Sequence, residues 1–485
     1  MNYLDYFREI CSIPHVSHHT GGISDYLVAF ADSNGLESFR DDSGNVVIRK
    51  KAAGFRRNRQ SPVILQAHMD MVGVCTDGRD MTREPIRPIF EGDIISADAS
   101  SLGADNGIGM SYILDILADK KLKSPEIEAV FTADEEDGME GVRNFDFSKL
   151  NASFVINLDS ECEDEVCVSS AGGMNEEIRI GFNDGFYRLE SGVLSEITIF
   201  GLKGGHSGNQ IHKRRANAII CLVRLLRELS LRHDIRFVSI SGGSARNVIP
   251  SRASASVLYC GFDFESFRKD FKETLADLRK KHLKSDPDFD AEVVWRKDSK
   301  VKSLSSMNSK LFEMLSSLPD GLMESDADGN AVTSLNFGMA DFNKEEKVLT
   351  FKALVRSNID SHRNELADKV RLVFEGDNSL KSPVSAFSYV VNTDQEYGAW
   401  QRREKSALLD FFLKTYKRKL DKNPKVTSTH GGLECGYFSQ GIKDCDLISI
   451  GPDISDVHSV KEKAFASSCE RIMGVLKAML ENWEL

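Results

Sequence analysis

Residues 62–72 read PVILQAHMDMV. The run is apolar and then turns abruptly polar at His68 and Asp70, as a buried strand does when it ends in a site. IEAVFTA (127–133) and SFVINLD (153–159) repeat the pattern, ending beside Glu135 and Glu136 and at Asp159. Between them, NGIGMSYILDILADKK places Met110, Ile113, Leu114 and Leu117 on one helical face. Strands alternating with helices in this way indicate an α/β fold with a mostly parallel mixed sheet flanked by helices. In such sheets ligands bind beyond the carboxyl ends of the strands, and the acidic residues fall there.

Further along, the texture changes. SEITIFGLKGG reads as a strand and turn, and RRANAIICLVRLLREL as an amphipathic helix with Ala216, Ile219, Ile220, Val223 and Leu226 facing inward. The strand, turn and helix of 246–278 recur in order at EEKVLTFKALVRSNIDSHRNELADKVRLV (345–373), a weak internal repeat. After residue 392 the first texture returns, with a helix at KSALLDFFLKTYKRKL and a short buried strand at DLISIG (446–451). A terminal amphipathic helix carries Cys469, Ile472, Met473, Leu476 and Leu480. The expected architecture is a catalytic domain built from 1–186 and 392–485, interrupted by an α+β lid, 187–391, that carries an internal duplication.

The chain has 485 residues and a net charge of −12. That balance excludes bulk nucleic-acid binding, which needs basic surface to displace counterions. No apolar run approaches the ~20 residues of a membrane span. The acidic start MNYLDYFREICSIPHVSHH is no signal peptide, and nine scattered cysteines suit free thiols in a reducing compartment. The expectation is a cytoplasmic protein.

Five segments offer metal ligands: His68 and Asp70 in QAHMD, Asp105 in LGADNGIG, Glu135 and Glu136 in TADEEDG, Asp159 in INLDSE, and His458 in GPDISDVHS. Histidine mixed with carboxylates is a donor set that zinc accepts. Two ions held close together need one bridging group and further ligands on each side, and one Asp, two His and two more carboxylates meet that count. His68 and Asp70 stand at i and i+2, on one face of an extended segment, so Asp70 can accept the second imidazole N–H and orient the ring. Adjacent Glu135 and Glu136 are expected to point apart, one to a metal and one to the attacking water.

As an ordered set, ICSIPHVSHH, GNVVIRK, VILQAHMDMV, SLGADNGIGM, EEDGMEG, INLDSE, LKGGHSG, ARNVIP, HGGLECGYF and SIGPDISDVHS span residues 10 to 459. They resemble the dinuclear zinc metallopeptidase family that includes aminoacylases and carboxypeptidase-G-like enzymes. The resemblance implies two Zn2+ per chain (Co2+ or Mn2+ being alternatives), with His68, Asp105, Glu136, Asp159 and His458 as ligands and Asp105 as the bridge. It gives Asp70 the orientation of His68, and Glu135 the role of general base. On the lid it implies that His206 polarises the scissile carbonyl, in a turn whose special backbone Gly204, Gly205 and Gly208 support. Asn247 and Arg356 would hold the substrate's terminal carboxylate, with a structural ion pair as the other reading of Arg356. His430 and Glu434 would be further pocket residues.

The implied activity is cleavage of dipeptides with a free C-terminal carboxylate, above all aminoacyl-histidine dipeptides such as carnosine, by a homodimer. Other readings stay open: a related N-acyl amino-acid deacylase, a non-catalytic peptide-binding protein of the same fold, or an assembly protein. Asp137 and Val460 depart from the family pattern without touching a ligand position.

Overall fold

The computed structural model describes residues 1–54, 60–375 and 386–485. The chain divides into two units: Met1–Ser170 with Trp400–Ser428 and Leu433–Leu485, and Ala171–Ala399 with Thr429–Gly432.

The first unit is built on an eight-stranded sheet. Its centre is parallel: Val63–His68 lies between Ile127–Thr132 and Phe154–Asn157, and Asp446–Ser449 follows parallel to the latter. Antiparallel strands complete the sheet on either side, among them Val46–Lys50 and Glu165–Ser170. All six residues of Val63–His68 and of Ile127–Thr132 are buried, as in sheets covered on both faces. Alternation sorts their side chains. Val63, Leu65 and Ala67 join one core cluster with Phe7, Ile10, Ile113 and Leu476, while Ile64 joins a second with Val130, Val155 and Phe438. Each such buried aliphatic contributes roughly 1.5–3 kcal/mol. Gln66 and His68 share a face with Ile64 by the same alternation.

The second unit is a nine-stranded antiparallel sheet whose order exposes a duplication. One repeat runs strand Tyr187–Phe200, helix Ala218–Ser230, strands Ile235–Gly243 and Ala253–Tyr259, helix Phe264–His282, strand Asp290–Leu304. The other runs strand Gly172–Phe182, helix Asn308–Ser316, strands Ala331–Asn343 and Val348–Ser357, helix Asp360–Glu375, strand Phe387–Tyr397. In each, the strands lie fourth, first, third, second across the sheet, and the two second strands pair at Gly242–Ala340 and Gly243–Met339. The first repeat sits within the second, after its opening strand. The recurrence at 246–278 and 345–373 is the third strand and second helix of each repeat. Gly321–Ser325 is an addition, paired with Ala331–Asn343.

Candidate metal centre and substrate groups

In the first unit the candidate ligands converge. His68 closes its strand, Asp159 follows the strand Phe154–Asn157 by two residues, and Glu135 and Glu136 follow Ile127–Thr132. Asp105 lies in the first turn of helix Ala104–Ala118, and His458 in the loop before Lys463–Phe465. Among the described residues these candidates form three groups whose ligand atoms lie within 4.8 Å of one another: His68–Asp105–Asp159, Asp105–Glu136–His458 and His68–Glu135–Glu136. The first two share Asp105, which divides its oxygens between them. Oδ1 is 3.1 Å from His68 Nε2, and Oδ2 is 3.4 Å from His458 Nε2. His68 Nε2 is also 3.1 Å from Asp159 Oδ1, and His458 Nε2 is 2.8 Å from Glu136 Oε1. Two nitrogens and one shared carboxylate with two different oxygens fit a pair of divalent cations.

The electrostatics demand positive charge. Burial pulls His68 and His458 down, yet the carboxylates outweigh it: Asp159 and Asp105 hold His68 well above its ordinary value, and Asp105 and Glu136 lift His458 to about 11. Burial raises the carboxyls: Asp159 rises to about 6, and Glu135 climbs well above the usual range, with Glu136, Asp159 and Glu434 pushing the same way. Asp105 alone among these falls, because hydrogen bonds from His458 and His68 overcome its burial. A group of carboxyls buried in one another's field favours any arriving cation.

Two local expectations are corrected. Glu135 and Glu136 do not point apart: each places an oxygen within 4.8 Å of the other and of a His68 nitrogen. Asp134, at φ 53°, breaks the extended chain ahead of them, so strand alternation no longer holds. Nor is the Asp70 carboxylate the acceptor for His68. Nδ1 donates to the Asp70 main-chain oxygen at 3.0 Å, while the carboxylate stays 3.6 Å away. Asp70 instead accepts from the backbone N–H of Glu135 at 2.9 Å, from that of Glu136 at 3.2 Å and from the Ser17 hydroxyl at 2.8 Å. It therefore positions the acidic turn. The proton on Nδ1 leaves the His68 Nε2 lone pair for a metal.

Several residues at this centre went unnoticed in the sequence. Glu462 accepts from the backbone N–H groups of Leu102, Gly103 and Ala104 at 2.8, 3.1 and 2.9 Å, gripping the start of the helix that carries Asp105. Asn106 Nδ2 donates to Asp159 Oδ1 at 2.8 Å. Burial, with Asp105 and Asp159 nearby, raises Glu161 to about 7. No periodic signal links Glu462 to a segment 358 positions away.

The second unit gathers a different set. Gly205–His206 pairs with Val248–Ile249, and the Ser207 N–H donates to the Asn247 carbonyl at 2.8 Å, so His206 and Asn247 flank one short ribbon. His206 Nδ1 accepts from the N–H groups of Gly208 and Asn209 at 3.2 and 3.1 Å, which leaves the ring proton on Nε2. A side chain at Gly208 would place its Cβ 2.9 Å from the His206 ring and 3.1 Å from Gly431. Gly205 has φ 131°, a value that glycine alone takes readily. Arg356 is buried, donates to the Tyr397 hydroxyl at 3.0 Å, and makes no ion pair among the described residues. Opposite it on the neighbouring strand, Ser334 bonds His430 Nε2 at 2.7 Å. Burial, and then the Arg356 charge, drive His430 down to about 3, so it stays neutral. His206, Asn247, Arg356 and His430 thus belong to one unit. Glu434, four residues after His430, belongs to the other, at the start of helix Cys435–Gly441 and hydrogen-bonded to Gln66 of its sheet.

Among the described residues no helix is long and apolar enough to cross a membrane. Residues 197–287, within the first repeat, match a family model described as a peptidase dimerisation domain, M20_dimer. The chain is 33% identical over 494 residues to the cytosol non-specific dipeptidase of Escherichia coli, covering 99% of this chain and 96% of that one. Its fold matches a crystal structure of aminoacylhistidine dipeptidase from Vibrio alginolyticus with a TM-score of 0.82 and 31% identity, over 99% of this chain and 96% of that one. It also matches aminopeptidase PepT from Bacillus cereus, at TM-score 0.56 and 14% identity, over 99% and 97% of the two chains.

Proposed function

This chain belongs to the M20 peptidase family, and from that premise we propose that it is a dinuclear zinc dipeptidase that accepts aminoacyl-histidine dipeptides among its substrates. Hydrolysis of dipeptides follows from the family and from its relatives. The observation that supports two ions is Asp105, whose two oxygens face two separate donor groups. His68 and Asp159 complete one site, Glu136 and His458 the other. Zinc suits this nitrogen–carboxylate mix, and cobalt or manganese can share it.

When bound, the ions supply Lewis-acid polarisation of the scissile carbonyl and lower the pKa of water toward neutrality. Glu135 takes the proton from the attacking water onto its carboxylate and delivers it to the leaving amine nitrogen. Burial beside other carboxyls increases its hold on that proton. Asp70 and Ser17 hold the turn that aims it. His206 donates from Nε2 to the oxygen that becomes negative. Arg356, buried with no carboxylate partner among the described residues, receives the substrate's terminal carboxylate, with Asn247 from the His206 ribbon as a second donor and His430 as a neutral wall.

The cytosol is the proposed compartment, as for the Escherichia coli relative. A homodimer also remains a proposal. Within one chain the second repeat pairs with the first at Gly242–Ala340 and Gly243–Met339. The test is a dipeptide panel including β-alanyl-histidine, alanyl-histidine and alanyl-alanine, run with metal analysis. Two zinc ions per chain, hydrolysis of the panel and its loss to a chelator are expected. Stoichiometric metal without hydrolysis of any dipeptide would remove the reading, as would full activity in metal-free protein.

A further inference from the structure

Glu434 is fully buried at the start of helix Cys435–Gly441. Its Oε2 accepts from Gln66 Nε2 at 2.6 Å and from the Thr132 hydroxyl at 2.7 Å. Gln66 is itself held, since its Oε1 accepts from Asn157 Nδ2 at 2.5 Å. Gln66, Thr132 and Asn157 come from three adjacent parallel strands, each just short of a candidate metal-site residue: His68, Glu135 and Asp159 respectively. The network is therefore a rigid floor under the metal centre, and Glu434 is clamped to it through one oxygen.

The other oxygen, Oε1, is buried and has no hydrogen-bond partner among the described residues. A glutamine would satisfy both donors with its carbonyl, so the fold does not require a charge here. The surroundings make charge costly: Asp159 and Asp70 lie within its field, and it lies within that of Glu135. An unpartnered carboxylate oxygen at such a place calls for a cation. Among the described residues, Glu434 enters none of the three-donor groups that could hold a metal. The remaining cation is the one the substrate carries. In a dipeptide the free ammonium stands on the acyl side, within a few bonds of the scissile carbonyl, so its receptor must lie on the metal-bearing unit, as Glu434 does.

We propose that Glu434 receives the substrate's free ammonium through Oε1, making the enzyme selective for unblocked dipeptides over N-acyl amino acids. This rests on the metallo-dipeptidase reading above.

The test measures calorimetric binding of two uncleavable compounds to the zinc-loaded enzyme: the ketomethylene isostere of alanyl-histidine and its des-amino twin. Wild type is expected to bind the amino compound at least about tenfold more tightly, ~1.4 kcal/mol. Glu434→Gln keeps both hydrogen bonds and should bring the ratio close to one, with zinc content and melting temperature unchanged. The kinetic counterpart is a collapse of the preference for alanyl-histidine over propionyl-histidine. If Glu434→Gln fails to fold, Glu434→Asp, which retracts the charge by one methylene, should lower the ratio instead. An undiminished ratio in the folded variant overturns the Glu434 assignment alone. Failure of both compounds to bind zinc-loaded wild type overturns the dipeptidase reading with it.

Discussion

The two units carry opposite electrostatic deficits. In the first, Asp105, Glu135, Glu136, Asp159 and Glu434 are largely buried in one another's field, and only His68 and His458 stand against them. In the second, Arg356 is buried with a phenol as its partner, beside a histidine that burial and Arg356 keep neutral. Among the described residues, the first cluster holds more carboxyls than cations, and Arg356 in the second unit has no carboxylate partner. A structural core would have paired these charges, because an uncompensated buried ion costs several kcal/mol. On the proposed function, divalent metals would supply positive charge to the first region and a substrate carboxylate the negative charge that Arg356 faces.

The largest break in this comparison is Asp105→Ala, which removes the only group common to both ligand sets. Zinc content should fall from two ions to at most one and turnover to background; an unchanged zinc stoichiometry would show that Asp105 bridges nothing. Glu135→Gln should cost about 10²–10⁴-fold in kcat while leaving both metals bound. Loss of zinc in this variant would make Glu135 a ligand. In the second unit, Arg356→Ala should raise KM about 10–100-fold for dipeptides with a free carboxylate, the scale of a lost charged hydrogen bond, and spare amidated ones. Equal losses on both substrate types would argue for a structural arginine.

Smaller effects sharpen the same contrast. Glu462→Gln weakens the grip on the turn of Asp105, and zinc affinity should drop about tenfold, as for other supporting partners of metal ligands. Competition with a chromophoric chelator measures it, and unaltered affinity would free Glu462 of that role.

A further effect, on stability and not on metal or substrate, concerns pH. The folded value of His430 lies near 3, below the ordinary 6.5 of an unfolded chain. Between those values the unfolded state binds the extra proton, so stability falls as pH drops below about 6.5. At pH 5 the cost is about 2 kcal/mol, and His430→Gln should remove it. Urea unfolding of wild type and variant at pH 7 and pH 5 reads the difference; equal acid sensitivity would show that His430 is not held neutral.

Much of the first unit could be read before any coordinates. Apolar runs that end in His68, Asp159 or the Glu135–Glu136 pair signal buried strands with polar tips, and periodicity marks the helices between them. The repeat was visible at 246–278 and 345–373, the segments where each repeat keeps its third strand and second helix. Its extent was not, because the opening strand Gly172–Phe182 precedes the first repeat and rejoins the second only through pairing. That Glu135 and Glu136 lie on one side is not legible in the sequence, because nothing there announces the left-handed turn at Asp134. The Asp70 carboxylate was given the wrong partner because spacing reports a shared face and not which oxygen lies nearer.

The amino-acid sequence on its own determined the donor chemistry and its order along the chain, since hydrophobic burial forces strands to form and leaves their polar ends at one edge. Only the tertiary structure decided which carboxylate faces both donor groups, that Glu462 reaches back to the Asp105 turn, and that Glu434 lies under the candidate metal ligands. Those outcomes depend on side chains hundreds of residues apart meeting at hydrogen-bond distance. Local propensity does not encode such meetings; they follow from how the packed sheet and helices bring distant loops to one place.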